Sequence, residues 1–72
     1  DHATLVFNAP VAQTYTLDIY DLSGRLVSTS ILQSSKGINQ KELSVERLGS
    51  GIYTLIIRGK DESNYVIKLL KK

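Results

Sequence analysis

The feature that most constrains this chain is an alternation of apolar and polar residues with a period of two, repeated between turn signals. The clearest case is the segment at residues 15–20, where Tyr15, Leu17 and Ile19 occupy alternate positions. Successive side chains of a β-strand point to opposite faces, so this pattern predicts a strand with one buried face. The turn signals recur about every 8 to 12 residues, a spacing that is typical of all-β sandwiches.

The same reading can be extended along the whole chain. It predicts six strands, at about residues 4–7, 15–20, 25–32, 38–45, 52–58 and 65–70. A short seventh strand is expected if the fourth segment splits near residues 41–43. The predicted fold is an all-β, small antiparallel immunoglobulin-like β-sandwich of about seven strands, since no segment has helical periodicity.

The alternation also predicts which side chains are buried. The residues expected to be among the most buried lie on three of the strands and are Leu17, Ile19, Tyr53, Leu55 and Ile67. On the third strand, Val27 and Ile31 are the expected core contacts, and its serines at positions 28 and 30 are expected to face water. Lys68 interrupts an apolar strand and is therefore expected to point outward.

Two turns give four residues a structural role. Residues 21–24 read Asp-Leu-Ser-Gly, the composition of a tight turn joining the second and third strands. Asp21 at the first position can accept hydrogen bonds from the backbone ahead of it, and Gly24 accepts a positive φ angle. A second glycine-rich turn ends at Gly51, and Tyr53 follows it on the expected inner face.

Length and composition limit the organisation of the chain. Its 72 residues form a single domain, residues 1–72, with no cysteine to staple the core. No apolar run approaches the ~18 residues of a membrane span. Because residue 1 is not Met and no signal peptide is recognisable, we expect a fragment of a larger secreted precursor.

Side chains capable of chemistry do not form a recognisable site. His2 is the single histidine and is better interpreted as a surface residue, which leaves the serines without a general base. Asp18 and Asp21 flank a turn, but no Asp/Asn-rich loop supplies the remaining oxygens that calcium requires. The glycines form no phosphate-binding loop. We therefore expect no enzyme activity, no cofactor and no metal.

The charge distribution is uneven although the net charge is only +2. Residues 1–36 carry two cations and three anions (−1), and residues 37–72 carry seven cations and four anions (+3). The last three lysines, Lys68, Lys71 and Lys72, either meet an acidic receptor or keep a final strand soluble. This weak excess, with only five aromatic residues, argues against nucleic-acid binding.

Three segments, in order, carry a resemblance to a known family. Residues 20–27 read YDLSGRLV and resemble the YDxxGRxV hairpin of type A C-terminal sorting domains of the bacterial type IX secretion system. Leu43-Ser44 followed by residues 48–53, LGSGIY, resembles the family's LxxGxY element. Residues 67–72, IKLLKK, are similar to its closing KLxKK strand.

This resemblance implies a function without chemistry. The domain would direct a cargo protein through the periplasm and across the outer membrane by docking on the translocon. A sortase-like protease would then remove it, with release or surface attachment of the cargo. The candidate translocon-recognition residues are Arg25, Lys68, Lys71 and Lys72, although a solvated role for Arg25 is equally consistent with its position. Open edge strands also suggest a homodimer.

A second reading stays open because fold alone does not decide function. A generic immunoglobulin-like or fibronectin-like accessory module, or a carbohydrate-binding module, of an extracellular enzyme would share the predicted architecture.

Overall fold

The computed structural model describes residues 2–62 and 64–72 and contains β-strands but no helix in that part of the chain. The six strands, in chain order, are β1 (His2–Ala9), β2 (Thr14–Tyr20), β3 (Leu26–Gln33), β4 (Gly37–Ser44), β5 (Gly51–Gly59) and β6 (Asn64–Lys71). Accordingly, the described residues include no helix that could cross a membrane.

The strands form two antiparallel sheets of unequal width. β1 pairs with β4 in a two-stranded sheet, called here the small sheet. The other four strands form the large sheet, in the order β3-β2-β5-β6. β2 and β5 therefore occupy the centre of the large sheet, and β3 and β6 occupy its two edges.

The predicted all-β sandwich is confirmed. The expected hairpin is also present, since β2 and β3 pair antiparallel across the turn at residues 21–24, with Tyr15 opposite Leu32 and Leu17 opposite Ser30. Residues 41–43 lie within an unbroken β4, so the described residues form six strands and the fourth segment does not split.

The core lies between the small sheet and the two central strands of the large sheet. Its buried hydrophobic cluster comprises Leu5, Phe7, Ala9, Tyr15, Leu17, Ile19, Tyr53, Leu55 and Ile57. Four of the five residues predicted to be most buried belong to this cluster. Ile67 packs against it but is only partly buried, because β6 is an edge strand.

The prediction that Val27 and Ile31 contact the core is wrong, because Val27 is 38% exposed and neither side chain packs against the buried cluster. Ile31 is 70% exposed and lies opposite Thr16, on the outer side of the large sheet. An irregularity in the pairing beside Ile19 shifts the register at the start of β3. Ser30 pairs with buried Leu17, which places the serine on the core side, yet Ser30 is exposed. The small sheet therefore leaves the inner side of β3 uncovered at Ser28 and Ser30, whereas Leu32, opposite Tyr15, packs against the core.

Aromatic side chains join the two sheets near one end of the core. The Phe7 ring packs edge-on against Tyr15, with centroids 5.4 Å apart, and lies 5.6 Å from the Tyr65 ring. Burial, and then the neighbouring Tyr15, raise the pKa of Tyr65, which favours the protonated hydroxyl. That hydroxyl donates a hydrogen bond of 2.7 Å to the backbone carbonyl of Asn8. The contact attaches β6 to β1.

Replacing Leu55 with Ala is expected to destabilise the domain by about 2–5 kcal/mol, because the substitution leaves a cavity in the core. Leu55 is 2% exposed on a central strand. Chemical denaturation followed by circular dichroism measures the free energy of unfolding. Ile31→Ala is the matched control on the same sheet, and its expected effect is below about 0.5 kcal/mol. A larger loss for Ile31→Ala than for Leu55→Ala would contradict the assignment of the core.

Candidate partner-binding site

The turn between β2 and β3 is organised by one carboxylate. Asp21 Oδ1 accepts hydrogen bonds from the Ser23 backbone amide at 3.0 Å, the Ser23 hydroxyl at 2.7 Å and the Arg25 backbone amide at 2.9 Å. The backbone carbonyl of Asp21 accepts a further bond from the Gly24 amide. Gly24 has a φ of +90°, a conformation that side chains disfavour, so glycine suits this position.

The same carboxylate positions Arg25. Arg25 Nε donates to Asp21 Oδ2 at 3.2 Å, and the arginine side chain is 79% exposed. The Ser23 hydroxyl first, and then the Arg25 backbone amide, hold the pKa of Asp21 below its ordinary value of 3.8. Arg25 is therefore an exposed cation whose guanidinium is oriented by the turn. Salt bridges as exposed as this one contribute little to stability.

The start of β5 holds the other two predicted structural residues, Gly51 and Tyr53. The Tyr53 hydroxyl donates to the Gly49 carbonyl at 2.7 Å, and the tyrosine is 8% exposed. This bond fastens the β4–β5 connection to the core. Gly51 has a φ of +151°, and no heavy atom lies within 4 Å of an added Cβ, so backbone conformation rather than space favours glycine here.

The lysines lie on and just after β6. Lys68 is exposed on the outer side of the large sheet, as expected, opposite Thr54 of β5. Lys71 pairs with Gly51 and is partly buried, and Lys72 follows the strand and is exposed. Residues 64–72 contain three lysines and no acidic residue, so the formal charge of the side chains in this segment is +3.

The four candidate recognition residues lie toward the same end of the large sheet. Tyr20 pairs with Thr54, which pairs with Lys68, so the turn after β2 and the end of β6 face the same direction. Arg25 lies beside the β3 edge and the lysines lie on the β6 edge. Three strand spacings separate the two edges, about 14 Å. The structure therefore divides the candidates between two edges.

Sequence reasoning missed the groove beside Arg25. It is open, has a volume of about 690 Å³, and is lined by β3, the 21–25 turn and the β4–β5 connection, including Glu46 and Arg47. Its lining includes two arginines and two carboxylates, Asp21 and Glu46, so the formal charges of the lining cancel. No sequence signal indicates that residues 46–47 meet this turn, because their proximity depends on how the sheets pack.

The remaining polar candidates are accounted for by local contacts. The oxygens of Asp18 accept hydrogen bonds of 2.7 Å from Thr29 Oγ1 and from Arg58 Nη1, which gives this carboxylate a cross-strand role. His2 is exposed at the start of β1. Within residues 2–62 and 64–72, no group of three or more His, Cys, Asp or Glu side chains is placed to hold a metal ion.

Comparison with known families identifies the chain. The model of the secretion system C-terminal sorting domain matches residues 1–72, the whole length. The chain belongs to the type IX secretion C-terminal sorting domain family. No curated protein and no solved structure matches the chain significantly.

Membership of this family indicates the general function of the chain. The sorting domain is a type IX secretion signal, and such a signal implies a cargo precursor, the secretion machinery and export across the outer membrane to the cell surface or extracellular space. The family is one of sorting signals and is not a catalytic family.

Removing the Ser23 hydroxyl is expected to raise the pKa of Asp21 toward 3.8, because that hydroxyl is the largest cause of the lowered value. A carboxyl titration of Ser23→Ala followed by NMR measures this change. Ser30→Ala, an exposed serine on β3, is the control and is expected to leave the Asp21 titration unchanged.

The same shift predicts a pH dependence of stability. Because folding lowers this pKa, the contribution of Asp21 is fully present above pH 3.8 and is lost as the pH falls through the folded-state value. Asp21→Asn is expected to remove this contribution of Asp21 to the loss of folding stability at low pH. In the titration experiment, an unchanged Asp21 pKa in Ser23→Ala would contradict the assignment of the Ser23 hydroxyl as the largest cause of the lowered pKa.

Proposed function

We propose that the sorting domain is the export module of a larger secreted precursor and directs its cargo from the periplasm through the type IX translocon. A sortase-like protease then removes the domain, and the cargo is released or attached to the cell surface. The observation that carries this proposal is the match of the sorting-domain family over the full length of the chain. The domain acts as a substrate of the protease and contributes no catalytic group.

Exposed cations are the proposed contacts with the translocon. Arg25 and Lys68 project into solvent from opposite edges of the large sheet, toward the same end. Lys72, which is exposed, and Lys71, which is partly buried, extend the basic β6 edge. Exposed charges of one sign steer the encounter with a partner of opposite potential, so these residues suit recognition better than stability.

A homodimer through edge strands is a separate proposal. The small sheet has only two strands, so each has an edge without a neighbouring strand among the described residues. Its outer face also exposes Val6 (57%) and Ile38 (72%). Exposed edges with apolar neighbours are templates for pairing with a second copy of the chain. Dimerisation through this sheet would leave the β6 edge accessible.

Fusing residues 1–72 to a reporter that is targeted to the periplasm is expected to send the reporter outside a type IX-competent cell. Deleting residues 69–72 is expected to leave it in the periplasm. That deletion also removes Leu69, which packs against the core. Lost export would therefore have two explanations, which are a lost contact with the translocon and a destabilised fold. Changing Lys68, Lys71 and Lys72 to Gln separates them, because these changes alter the charge and keep every apolar side chain. Fractionation and immunoblotting measure export.

The outcomes of this experiment are distinct. Lost export by a folded triple-Gln variant supports contact between the lysines and the translocon. Normal export of that variant would contradict the assignment of the lysines. Equal secretion of the intact fusion by cells that lack the translocon would reject the sorting proposal and favour an accessory module.

Light scattering across a concentration series tests the dimer. A mass that rises toward twice the monomer mass of 8.0 kDa is expected at high concentration. Val6→Lys is expected to suppress the increase, because it places a charge on the exposed face of the small sheet. A constant monomer mass up to millimolar concentration would rule out the dimer.

A further inference from the structure

The outer side of β6 combines an open edge with a regular pattern of side chains. β6 is the last strand of the large sheet, and its other edge has no neighbouring strand among the described residues. About half of the N–H and C=O groups of an antiparallel edge strand point away from its partner. β6 pairs with β5 from Asn64 to Lys71, so the strand presents an outer edge of eight residues.

Two exposed apolar side chains flank a lysine on this strand. Val66 is 66% exposed, Leu70 is 63% exposed, and Lys68 lies between them on the same face. Ile52, which pairs with Leu70, is 44% exposed and extends the apolar surface onto β5. Val66 and Leu70 are far more exposed than side chains that support the core, so the apolar–lysine–apolar pattern is available to a partner.

The lysine also limits which partner can pair with β6. If two copies of β6 pair antiparallel so that Val66 lies opposite Leu70, Lys68 lies opposite Lys68. Shifting the register by two residues removes this repulsion but places each lysine opposite an apolar side chain. Like charges that lie directly opposite each other destabilise a sheet. β6 is therefore poorly suited to pair with itself through its apolar register.

We propose that β6 accepts an extended strand from a protein of the secretion machinery, with an acidic residue between two apolar residues at alternate positions. In that register the carboxylate lies opposite Lys68 and the apolar side chains lie opposite Val66 and Leu70. Main-chain hydrogen bonds supply a shape-based contact and the side chains supply selectivity. This inference rests on the proposed sorting function and specifies the chemistry of its partner.

The β6 edge is a better candidate binding site for an acidic strand than the groove beside Arg25. In the groove the formal charges of Arg25 and Arg47 are balanced by those of Asp21 and Glu46, so it does not select a charged ligand by its sign. No acidic residue lies within β6, and the carboxylate of Asp18, two strands away on β2, is paired with Arg58. The positive charge of Lys68 therefore remains available to a carboxylate.

A charge-swap experiment with the 72-residue chain tests the inference. The probe is the blocked peptide Thr-Val-Thr-Glu-Thr-Val-Thr, compared with the same peptide carrying Lys at the centre. NMR titration is expected to shift the amide signals of β6 with the Glu peptide. Lys68→Glu is expected to weaken that binding about fivefold and to restore binding to the Lys peptide. Lys36→Glu makes the same charge change in the exposed β3–β4 loop and is expected to leave both affinities nearly unchanged.

Export of the reporter fusion supplies the second measurement. Lys68→Glu and the pair Val66→Thr with Leu70→Thr are expected to reduce export while circular dichroism shows an unchanged fold, because all three side chains are exposed. Lys36→Glu is expected to export normally. Failure of the unaltered fusion to be exported would reject the sorting function and leave the peptide result standing.

Three results would overturn the inference itself. They are amide shifts confined to β1 or β4, equal binding of the two peptides to the unaltered chain, and normal export by the Lys68→Glu variant when the unaltered fusion is exported.

Discussion

Burial of the inner sides of β2 and β5 beneath a two-stranded sheet is the constraint on which the rest of this structure depends. Alternate residues in the middle of these strands are buried, including Tyr15, Leu17, Leu55 and Ile57. A domain of 72 residues without cysteine has no covalent means of compensating for a poorly packed core. The central pairing of β2 with β5 therefore fixes both the register of the large sheet and the faces of its neighbours.

Unequal sheet widths explain the composition of the edges. A two-stranded sheet cannot cover a four-stranded one, so the inner side of β3 is exposed at Ser28 and Ser30, and Leu32 is the inner residue of this strand that packs against the core. At the opposite edge, β6 receives partial cover through the bond from Tyr65 to Asn8 and the packing of Ile67 and Leu69. β3 is thus mostly polar on its inner side, whereas β6 packs against the core on its inner side and carries Val66, Lys68 and Leu70 on its outer side.

The fold was largely predictable, because a half-buried strand leaves its period directly in the sequence. Leu17, Ile19 and Leu55 follow that rule. β3 did not follow it, since its apolar Ile31 lies outside and the irregular pairing near Ile19 reverses the expected faces. The turn at Asp21 and Gly24 was readable from local chemistry alone. The groove formed by Arg25 and Arg47 was not, because its two walls are brought together only by packing of the sheets.

The residues that stabilise the core and the proposed recognition surface consequently lie on opposite sides of β6. On β6, Ile67 and Leu69 pack against the core, while Val66, Lys68 and Leu70 face outward at the intervening positions. Period-two geometry allows the outward set to change without a change in core volume. A surface substitution on this strand can therefore alter partner selection at little cost in folding free energy, whereas a shift of one residue in register would exchange the two sets and disrupt both. The bond from Tyr65 to Asn8 opposes such a shift, so the contact that holds the edge strand in place also fixes which side chains it presents to a partner.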